Sequence, residues 1–328
     1  VSPRTTTLMS TVTQCPLHSA HGELTVIDYL CLLWPQRARR VVHKLFANGA
    51  VRSGGCPVSP YRRVSSLDDL SIHVSLENVP TIYTDLVPAG ETATLLDVLY
   101  EDARLVVVRK PSGLPVIPDR TRDVPSCLEL LTRRELAARP EKDPGEYIRY
   151  RIVHRIDRLT SGLVIVAKTS EAERELCADF ESRHVRKEYL ALVRGRVSGS
   201  RIVVPGPIAP GRKGKMRWVS KDTPGAKDAL TVFDVVERFA AVTLVRAQPR
   251  TGRQHQIRVH AWAMGHPLAV DPLYAVGERA HGDPVPGIER LTLHAYRYTL
   301  APHWELPRSF VCPLDDDFAE AIERLRFE

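Results

Sequence analysis

The sequence has no C-x-x-C pair, no long hydrophobic run and few aromatic residues. Its 6 cysteines are scattered through 328 residues, which is typical of proteins of a reducing cytosol rather than of disulfide frameworks or zinc sites. No apolar run approaches the roughly 18 to 20 residues that cross a bilayer, and the N-terminus lacks the apolar segment of a signal peptide. We therefore expect a cytoplasmic protein without a membrane partner.

The composition favours a globular protein with a polyanionic partner. Hydrophobic residues make up 43% of the chain, enough for a sizeable core, while the 6% of aromatic residues argue against a broad surface for stacking bases. Lys and Arg number 46 against 39 acidic residues, which gives a formal net charge of +7. A basic balance of this size favours nucleic acid as a partner but does not establish it.

Residues 21–78 are predicted to form a small domain of two helices and a short sheet. Residues 1–20 are rich in Ser, Thr and Pro and are expected to be a flexible tail, whereas residues 79–91 contain prolines and a glycine and read as a linker. Two amphipathic segments, TVIDYLCLLW and RARRVVHKLFANG, are followed by the strand-turn pattern AVRSGG. Asn48-Gly49 is expected to cap the second helix.

This small domain resembles, in degenerate form, the αL RNA-binding motif of a small-subunit ribosomal protein and many RNA-modifying enzymes. The resemblance rests on VIDYL in the first helix, on the basic residues that begin the second helix, and on RSGG at the turn. It implies that the domain binds RNA. A small helical cap with a solvated basic face explains the same residues about as well.

Residues 92–328 contain more strands than helices, and the two rarely alternate. Strands are expected at ARLVVVRK, GLVIVAK, KEYLALVRG and LTLHAYRYTL, and in the hairpin of DALTVFDVVERF with AAVTLVRAQPR. Helices are expected at EAERELCADFESRHV and DDDFAEAIERL. This arrangement predicts an α+β fold on a large mixed, mainly antiparallel sheet with flanking helices, rather than a doubly wound fold.

The segment HRIDRLTSG places one carboxylate, Asp157, between Arg155 and Arg158 at the start of the apolar strand LVIVAK. Two interpretations are open. The loop could hold a surface salt bridge, which is common and contributes little stability. Alternatively, Asp157 could be a catalytic carboxylate that is kept ionised in a pocket for an anionic substrate.

A second basic segment, RTGRQHQIRVH at residues 250–260, lies at a predicted strand-to-helix corner. Thr251-Gly252 makes the turn, and the helix that follows has apolar residues spaced for burial. Any arginine that this helix buries requires a carboxylate partner. The two histidines, His255 and His260, are five residues apart and do not share a helix face, so a metal site is not expected.

Three segments, HRIDRLTSGLVIVAK, RKEYLALVRG and RTGRQHQIRVH, closely resemble in order and spacing the motifs of the RluA-type pseudouridine synthases, which isomerise uridine in ribosomal and transfer RNA. YEDARLVVVRKPSGLPV upstream, and GHPLAVDPLYA and LTLHA downstream, are similar to further motifs of that family. The resemblance covers about residues 97–312. It implies the fold of that family and an isomerase of structured RNA, with large-subunit ribosomal RNA favoured over transfer RNA.

The resemblance also implies roles for individual residues. Asp157 matches the catalytic aspartate, the nucleophile or base that acts on the target uridine. Tyr189 matches the tyrosine that stacks on the target base and takes part in proton transfer, and Arg258 matches the arginine that pairs with the aspartate. Arg155 matches an arginine that holds the flipped nucleotide or fills the gap that it leaves.

The chemistry of the reaction agrees with these roles. Pseudouridine formation breaks the N1 glycosidic bond, turns the uracil and rejoins it through C5, so neither a cofactor nor a metal is expected. It needs a carboxylate that is ionised in a dry pocket, and an arginine within a few ångströms favours that charged form. The base must leave its stack at a cost of a few kcal/mol, and stacking on Tyr189 could return about 1 to 3 kcal/mol.

One further segment, APGRKGKMRWVSKDTPGAK at residues 209–227, is the best candidate for an added RNA contact. It combines basic residues for phosphates, glycines for flexibility and a tryptophan for one stacked base. With the residues already described, the candidate RNA-binding set is Arg155, Arg253, His255, Arg212, Lys213, Lys215, Arg217 and Trp218. A solvated basic hairpin explains this segment nearly as well.

Two other functions compete with catalysis. A ribosome-assembly factor could keep the fold and bind RNA without catalysis, but such a protein has no need of Asp157, Tyr189 and Arg258 together. A metal-dependent nuclease or hydrolase would need paired carboxylates and a ligand spacing that the histidine-rich corner lacks. The sequence therefore favours a monomeric RNA pseudouridine synthase.

Overall fold

The computed structural model describes residues 12–15, 17, 24–33, 39–73, 96–118, 124–138, 147–274, 285, 288–304 and 307–327. The chain divides into two compact units, one of Val1–Thr92 with Leu131–Arg149 and one of Ala93–Leu130 with Tyr150–Glu328. The predicted linker lies outside the described residues, as does most of the predicted tail.

The first unit contains two helices and a small antiparallel sheet. In chain order its elements are β1 (Val12–Gln14), α1 (Val26–Leu33), α2 (Arg39–Ala47), β2 (Val51–Ser53), β3 (Cys56–Pro57) and β4 (Ser71–His73). The strands lie in the order β1-β4-β2-β3, and every neighbouring pair is antiparallel. β1 falls inside residues 1–20, where the sequence predicts a flexible tail.

The end of α2 has the cap that the sequence predicts. Gly49 has a left-handed backbone with φ of 66°, a conformation that glycine adopts without steric cost. Its N–H donates to the Phe46 carbonyl at 3.0 Å, and the next N–H, of Ala50, donates to the Leu45 carbonyl at 2.9 Å. These bonds satisfy carbonyls at the helix end and turn the chain into β2.

The second unit is built on a large sheet. Its strands are β5 (Asp97–Glu101), β6 (Leu105–Lys110), β7 (Arg151–Ile152), β8 (Ser161–Ala167), β9 (Arg186–Arg194), β10 (Arg201–Pro205), β11 (Ile208–Pro210), β12 (Met216–Trp218), β13 (Leu230–Arg238), β14 (Val242–Pro249), β15 (Leu293–Thr299) and β16 (Ser309–Val311). The main order is β10-β13-β14-β9-β15-β8-β6-β5, with β16 beside β15 and β7 beside β8, while β11 and β12 pair separately. β15 and β8 are parallel, and the other described pairs are antiparallel. The predicted mixed, mainly antiparallel α+β fold is confirmed.

Four further helices complete the described elements. They are α3 (Cys127–Ala138), which crosses the division between the two units, α4 (Ser170–Glu181), α5 (Gln256–Ala263) and α6 (Asp316–Phe327). Thr169 caps α4 by accepting the Ala172 N–H at 3.1 Å, as threonine commonly does at this position. Among the described residues, no helix is both long and apolar enough to cross a membrane.

The strand β8 fixes the end of the HRIDRLTSG loop in the sheet. All of its residues are buried, between β6 on one side and β15 on the other. Gly162 lies in β8 with φ of 108°, and a Cβ atom there would come within 2.3 Å of the Ala295 carbonyl oxygen in β15. Only glycine permits this close approach of the two parallel strands. The contact fixes the point at which the HRIDRLTSG loop enters β8.

Candidate active site

Asp157 lies on the loop between β7 and β8, and a buried lysine holds that loop. Lys110 is completely buried, and its Nζ donates to the carbonyls of Pro111, Leu114 and Arg158 at 2.9, 2.7 and 2.8 Å. Burial lowers the pKa of Lys110 to about 8. Because Arg158 follows Asp157 directly, these bonds tie the aspartate loop to the turn after β6.

Arg158 now has a structural role that the sequence did not indicate. Its Nε donates to the Gly113 carbonyl at 2.9 Å, and its own carbonyl accepts the Gly113 N–H at 2.9 Å. The arginine on the other side of the aspartate, Arg155, is exposed and lines the cleft described below. The two neighbours of Asp157 therefore serve different purposes.

The predicted ion pair of Asp157 with Arg258 is present. Arg258 Nη1 donates to Asp157 Oδ2 at 3.2 Å, across 101 positions of sequence. The Arg258 side chain is 3% exposed, whereas that of Asp157 is 24% exposed. The carboxylate is thus reachable from solvent while the cation that contacts it is buried.

Arg258 has a second carboxylate partner, which the sequence analysis missed. Its Nε and Nη2 donate to Asp271 Oδ2 and Oδ1 at 2.8 and 2.7 Å, and the Asp271 side chain is 1% exposed. Burial opposes the charge on Arg258, but the two carboxylates outweigh it and raise its pKa above the ordinary value. The signal was present, since a buried arginine needs a partner and Asp271 lies in the GHPLAVDPLYA segment.

Asp271 is itself held by the backbone that follows it. Its Oδ1 accepts the N–H groups of Leu273 and Tyr274 at 2.9 and 3.1 Å. An aspartate that accepts bonds from the next turn of its own chain has little freedom to rotate. Asp271, Arg258 and Asp157 therefore form a chain of ionic contacts that starts from a fixed backbone turn.

Tyr189 comes from β9 and lies beside the aspartate in the cleft. Its hydroxyl is 2.7 Å from that of Tyr298 in β15, and both side chains are buried. Burial raises the pKa of Tyr189 to about 12, so the phenol is protonated at neutral pH. The Tyr298 ring meets His154 edge-on at 5.3 Å between centroids, which extends the aromatic wall.

A cleft of about 1230 Å³ brings the predicted residues together. Its lining includes Asp157, Tyr189, Arg258, Arg155, Arg253 and His255. Each of these was a candidate from the sequence, although they come from three separate segments. A cleft of this size accommodates a nucleotide, and its basic rim suits a phosphate backbone.

The basic hairpin of residues 209–227 does not line this cleft. It contains most of β11, all of β12 with the turn between them, and the segment that follows β12, and its candidate residues Arg212, Lys215, Arg217 and Trp218 are all exposed. The side chain of Lys213 lies outside the described residues. Trp218 is 50% exposed, with its indole edge over Gly206, where a Cβ atom would collide with the ring.

A buried serine and histidine near the site do not form a second catalytic pair. Ser161 Oγ is 2.8 Å from His294 Nδ1 and accepts a bond from Arg290 Nη1 at 2.9 Å. Both residues are completely buried, so no substrate reaches the hydroxyl. Within the part of the chain that is described, no group of three or more His, Cys, Asp or Glu could hold a metal ion.

Comparisons with known proteins give one consistent result. A family profile described as RNA pseudouridylate synthase matches residues 104–263. Ribosomal large subunit pseudouridine synthase C of Vibrio vulnificus is 34% identical over 292 residues, which cover 88% of this chain and 88% of that protein. Ribosomal large subunit pseudouridine synthase D of Nitrosomonas europaea is 37% identical over 234 residues, or 70% of this chain and 65% of that protein.

Solved structures give the same result for the fold. Human RNA Pseudouridylate Synthase Domain Containing 4 superposes with a TM-score of 0.56 at 26% sequence identity. The match covers 70% of this chain and 93% of the human chain. The fold of this chain thus has a counterpart in a protein with the same family description.

Proposed function

The chain belongs to the RNA pseudouridylate synthase family, and from this premise we propose that it isomerises uridines of large-subunit ribosomal RNA with Asp157 as the catalytic group. It is an RNA pseudouridine synthase, and RNA is its partner. The observation that carries the assignment of Asp157 is its place in the cleft, where it is 3.2 Å from the buried Arg258.

The proposed reaction rearranges bonds within one nucleotide. Asp157 acts on the target uridine as nucleophile or base, and the bond between N1 and C1′ breaks. The uracil then turns, C5 bonds to C1′, the proton on C5 leaves and N1 gains a proton. Atoms and electrons balance without an oxidant or reductant, so the protein has to supply an ionised carboxylate, a place for the base and control of protons.

The geometry supports an accessible Asp157 with a cation beside it. The carboxylate is 24% exposed, so a flipped nucleotide can reach it from the cleft. Its partner Arg258 is buried and also bound to Asp271, so the guanidinium stays in place beside the carboxylate. A carboxylate with a fixed cation behind it keeps its charge as substrate excludes water.

Tyr189 is proposed to stack on the target base, and its hydroxyl to take part in proton transfer. Its ring lines the same cleft as Asp157, and stacking a flipped base on an aromatic ring is worth about 1 to 3 kcal/mol. This would offset part of the cost of removing the base from its helix. Arg155 is proposed to hold the flipped nucleotide or fill the gap that it leaves.

The choice of RNA rests on the relatives. Both bacterial relatives described above carry names that specify the ribosomal large subunit, and we extend that target to this chain in preference to transfer RNA. The exposed basic hairpin, together with Arg253 and His255 in the cleft, is proposed to add contacts with the RNA. We further propose that the protein acts as a monomer in the cytoplasm.

The domain organisation is proposed in the same terms. Residues 92–328 form the catalytic domain, residues 79–91 a linker, and residues 21–78 a small domain that resembles a degenerate αL RNA-binding motif. The exposed side chains of His43 and Lys44 on α2 support a basic surface on that small domain. Such a surface suits phosphate groups rather than base edges.

Replacement of the catalytic aspartate tests the proposal. Asp157→Asn keeps the size of the side chain but removes its charge, so we expect no pseudouridine in large-subunit ribosomal RNA incubated with this variant. RNA affinity should stay within about threefold of the parent, because most of the affinity comes from phosphate contacts. Pseudouridine mapping and a binding titration with the same transcript measure the two quantities.

The matched control is Asp68→Asn, which makes the same chemical change at an exposed aspartate outside the cleft. It should modify the RNA at the parent rate. If Asp157→Asn also forms pseudouridine at that rate, Asp157 is not the catalytic group. If neither variant nor parent modifies large-subunit RNA but transfer RNA is modified, the proposed target is wrong.

A further inference from the structure

His255 begins α5 in an unusual backbone conformation. Its φ and ψ are 54° and 19°, the left-handed region, which residues other than glycine rarely adopt. Among the described residues, Arg183 is the other non-glycine residue with positive φ. Strain of this kind persists where the surrounding contacts hold the residue in place, and it concentrates at functional sites.

The contact that holds His255 is made by Tyr274. The Tyr274 hydroxyl is 2.9 Å from His255 Nδ1, and the two rings meet edge to face at 5.7 Å between centroids. The same hydroxyl accepts the backbone N–H of Met216 at 2.7 Å. The centroid of the Tyr274 ring lies 5.0 Å from the guanidinium carbon of Arg258.

These contacts favour one position for the His255 proton. An N–H group only donates, so Met216 occupies a lone pair of the Tyr274 oxygen and leaves the hydroxyl hydrogen free for His255 Nδ1. A neutral imidazole that accepts at Nδ1 carries its proton on Nε2. That Nε2 is 3.8 Å from Asp157 Oδ2, just beyond hydrogen-bond range.

We propose that Tyr274 is a positioning residue for the reaction. Its hydroxyl holds neutral His255 with the Nε2–H directed at Asp157, and the same hydroxyl links His255 to β12 of the basic hairpin. The proposal rests on the assignment of Asp157 as the catalytic group. Hydrogen bonds at active sites often tighten when substrate binds. His255 is thus placed to donate to Asp157, or to a substrate oxygen that comes between them.

The neutral form of His255 is the one that suits this role. The charged groups that face it are Asp157 and Arg155 from the aspartate loop, Arg258 from its own helix, and Asp271 from the segment after α5. Burial lowers the pKa of His255 below its ordinary value, although the charge of Asp157 opposes this. A protonated His255 would give Asp157 a second cation and weaken it as nucleophile or base.

The hydroxyl of Tyr274 also connects the site with the hairpin. Met216 is the first residue of β12, and its N–H bond to Tyr274 joins that strand to a residue that contacts both His255 and Arg258. Of the exposed basic residues of the hairpin, Arg217 follows Met216 in β12, whereas Arg212 and Lys215 lie in the turn that precedes it. The hydroxyl oxygen of Tyr274 therefore contacts both the first residue of β12 in the hairpin and the ring of His255.

The test is the pH dependence of Tyr274→Phe, which removes the hydroxyl and keeps the ring beside Arg258. With an in vitro transcript of large-subunit ribosomal RNA, we expect kcat to fall about 10-fold, as for the loss of about one hydrogen bond. Without the hydroxyl as donor to Nδ1, His255 gains a proton more easily. The acid limb of the kcat profile should therefore move to higher pH, by about one unit.

A remote variant and a double variant separate this role from a structural one. Tyr100→Phe removes a hydroxyl that donates to Asp102 at 3.0 Å, and it should leave the pH profile unchanged. His255→Asn tolerates the left-handed backbone and has no titrating group. Adding Tyr274→Phe to His255→Asn should lower kcat no further, because both changes remove the same contact.

Three results would overturn the inference. The first is an acid limb of the kcat profile that does not move in Tyr274→Phe, and the second is an equal shift of that limb in Tyr100→Phe. The third is a double variant in which the losses of kcat from Tyr274→Phe and His255→Asn add. Thermal unfolding identifies a variant that fails to fold. If Tyr274→Phe alone does not fold, the effect of this change is measured in the His255→Asn background instead. Full activity of Asp157→Asn would instead refute the proposed catalytic group, so the two failures are distinguishable.

Discussion

Arg258 and Asp271 form a two-point ion pair, with Nε to Oδ2 at 2.8 Å and Nη2 to Oδ1 at 2.7 Å. Both side chains are almost completely buried. The pair uses one edge of the planar guanidinium and leaves Nη1 for Asp157. Because two bonds must break before the guanidinium can turn, Asp271 determines the direction from which Asp157 receives positive charge.

Replacing Asp271 should therefore weaken both the fold and the reaction. Asp271→Asn keeps one oxygen for the backbone but removes the charge, so Arg258 is buried with one carboxylate instead of two. We expect the free energy of unfolding to fall by about 3 kcal/mol, the order found when one partner of a buried ion pair is removed. Urea unfolding measures this change, and the rate of pseudouridine formation should fall at the same time.

The control for this prediction is an exposed ion pair. Glu320 pairs with Arg324 at 2.9 Å on the surface of α6, where both side chains are at least half exposed. Glu320→Gln should change the free energy of unfolding by less than about 1 kcal/mol and leave the rate unchanged. An Asp271→Asn protein with the stability and rate of the parent would show that Asp157 does not depend on this pair.

The sequence predicted much of this site because three short segments resemble the motifs of a known family, and because each segment also has a regular local pattern. Asp157 precedes an apolar strand, Tyr189 begins another, and Arg258 lies in a helix that opens with a Thr-Gly turn. Each segment forms its element from local pattern alone, so its strand or helix and the position of its polar residue are readable. The fold class follows from the excess of strands over helices.

The partners of Tyr189 and Ser161 were not readable, because they lie far away in sequence. The hydroxyls of Tyr189 and Tyr298 meet across 109 positions, and Ser161 meets His294 across 133. Such pairings depend on the strand order, in which β15 lies between β9 and β8. A hydrophobic pattern specifies which face of a strand is buried, but it does not specify the neighbouring strand.

The hydroxyl of Tyr189 should matter for the chemical step more than for binding. Tyr189→Phe keeps the ring, and hence the stacking surface, but loses the hydroxyl that contacts Tyr298. We expect the affinity for large-subunit RNA to stay within about threefold, and kcat to fall by about 10-fold or more, since proton transfer contributes about 100-fold or more in many enzymes. Single-turnover rates and a binding titration measure the two effects.

A matched variant for the ring is Tyr189→Leu, which removes the stacking surface as well. It should weaken RNA binding, by the equivalent of about 1 to 3 kcal/mol for a lost base contact. If Tyr189→Phe keeps the full rate, the hydroxyl has no part in proton transfer. If Tyr189→Leu binds RNA as the parent does, the ring does not stack on the target base.

The exposed basic hairpin should contribute to the salt dependence of RNA binding. Each phosphate contact that releases a counterion steepens the dependence of log K on log salt by about 0.7 to 0.9. Changing Arg212, Lys215 and Arg217 to Gln should therefore weaken binding and make the slope shallower by about 2. Titrations of the same transcript at several salt concentrations measure the slope.

A charge-matched control separates this effect from a general loss of positive charge. Arg174, Arg196 and Arg308 are exposed and do not line the cleft. Changing these three to Gln gives the same net charge, and we expect nearly the slope of the parent. An unchanged slope in the hairpin variant would contradict the proposed RNA contact, and so would an equal flattening in both variants.

His154, which begins the HRIDRLTSG segment, should make the fold sensitive to acid. Its Nε2 accepts the Ile165 N–H at 2.9 Å, and its ring stacks on Phe180 at 4.6 Å. Burial, with a smaller effect from the charge of Lys187, lowers its pKa from 6.5 to about 3. The folded protein therefore keeps His154 neutral over a pH range in which an unfolded histidine binds a proton.

The sign of the effect follows from this difference. Between about pH 6.5 and pH 3 the unfolded state binds one more proton at His154, so the free energy of unfolding falls as the pH falls, by about 1.4 kcal/mol per unit. His154→Gln can still accept the Ile165 N–H but does not titrate, so its stability should depend less steeply on pH. Val164→Ala, a change in the buried strand β8, should lower stability equally at each pH. Urea unfolding between pH 7 and pH 4 distinguishes the two, and parallel curves for His154→Gln and the parent would show that folding does not lower the pKa of His154.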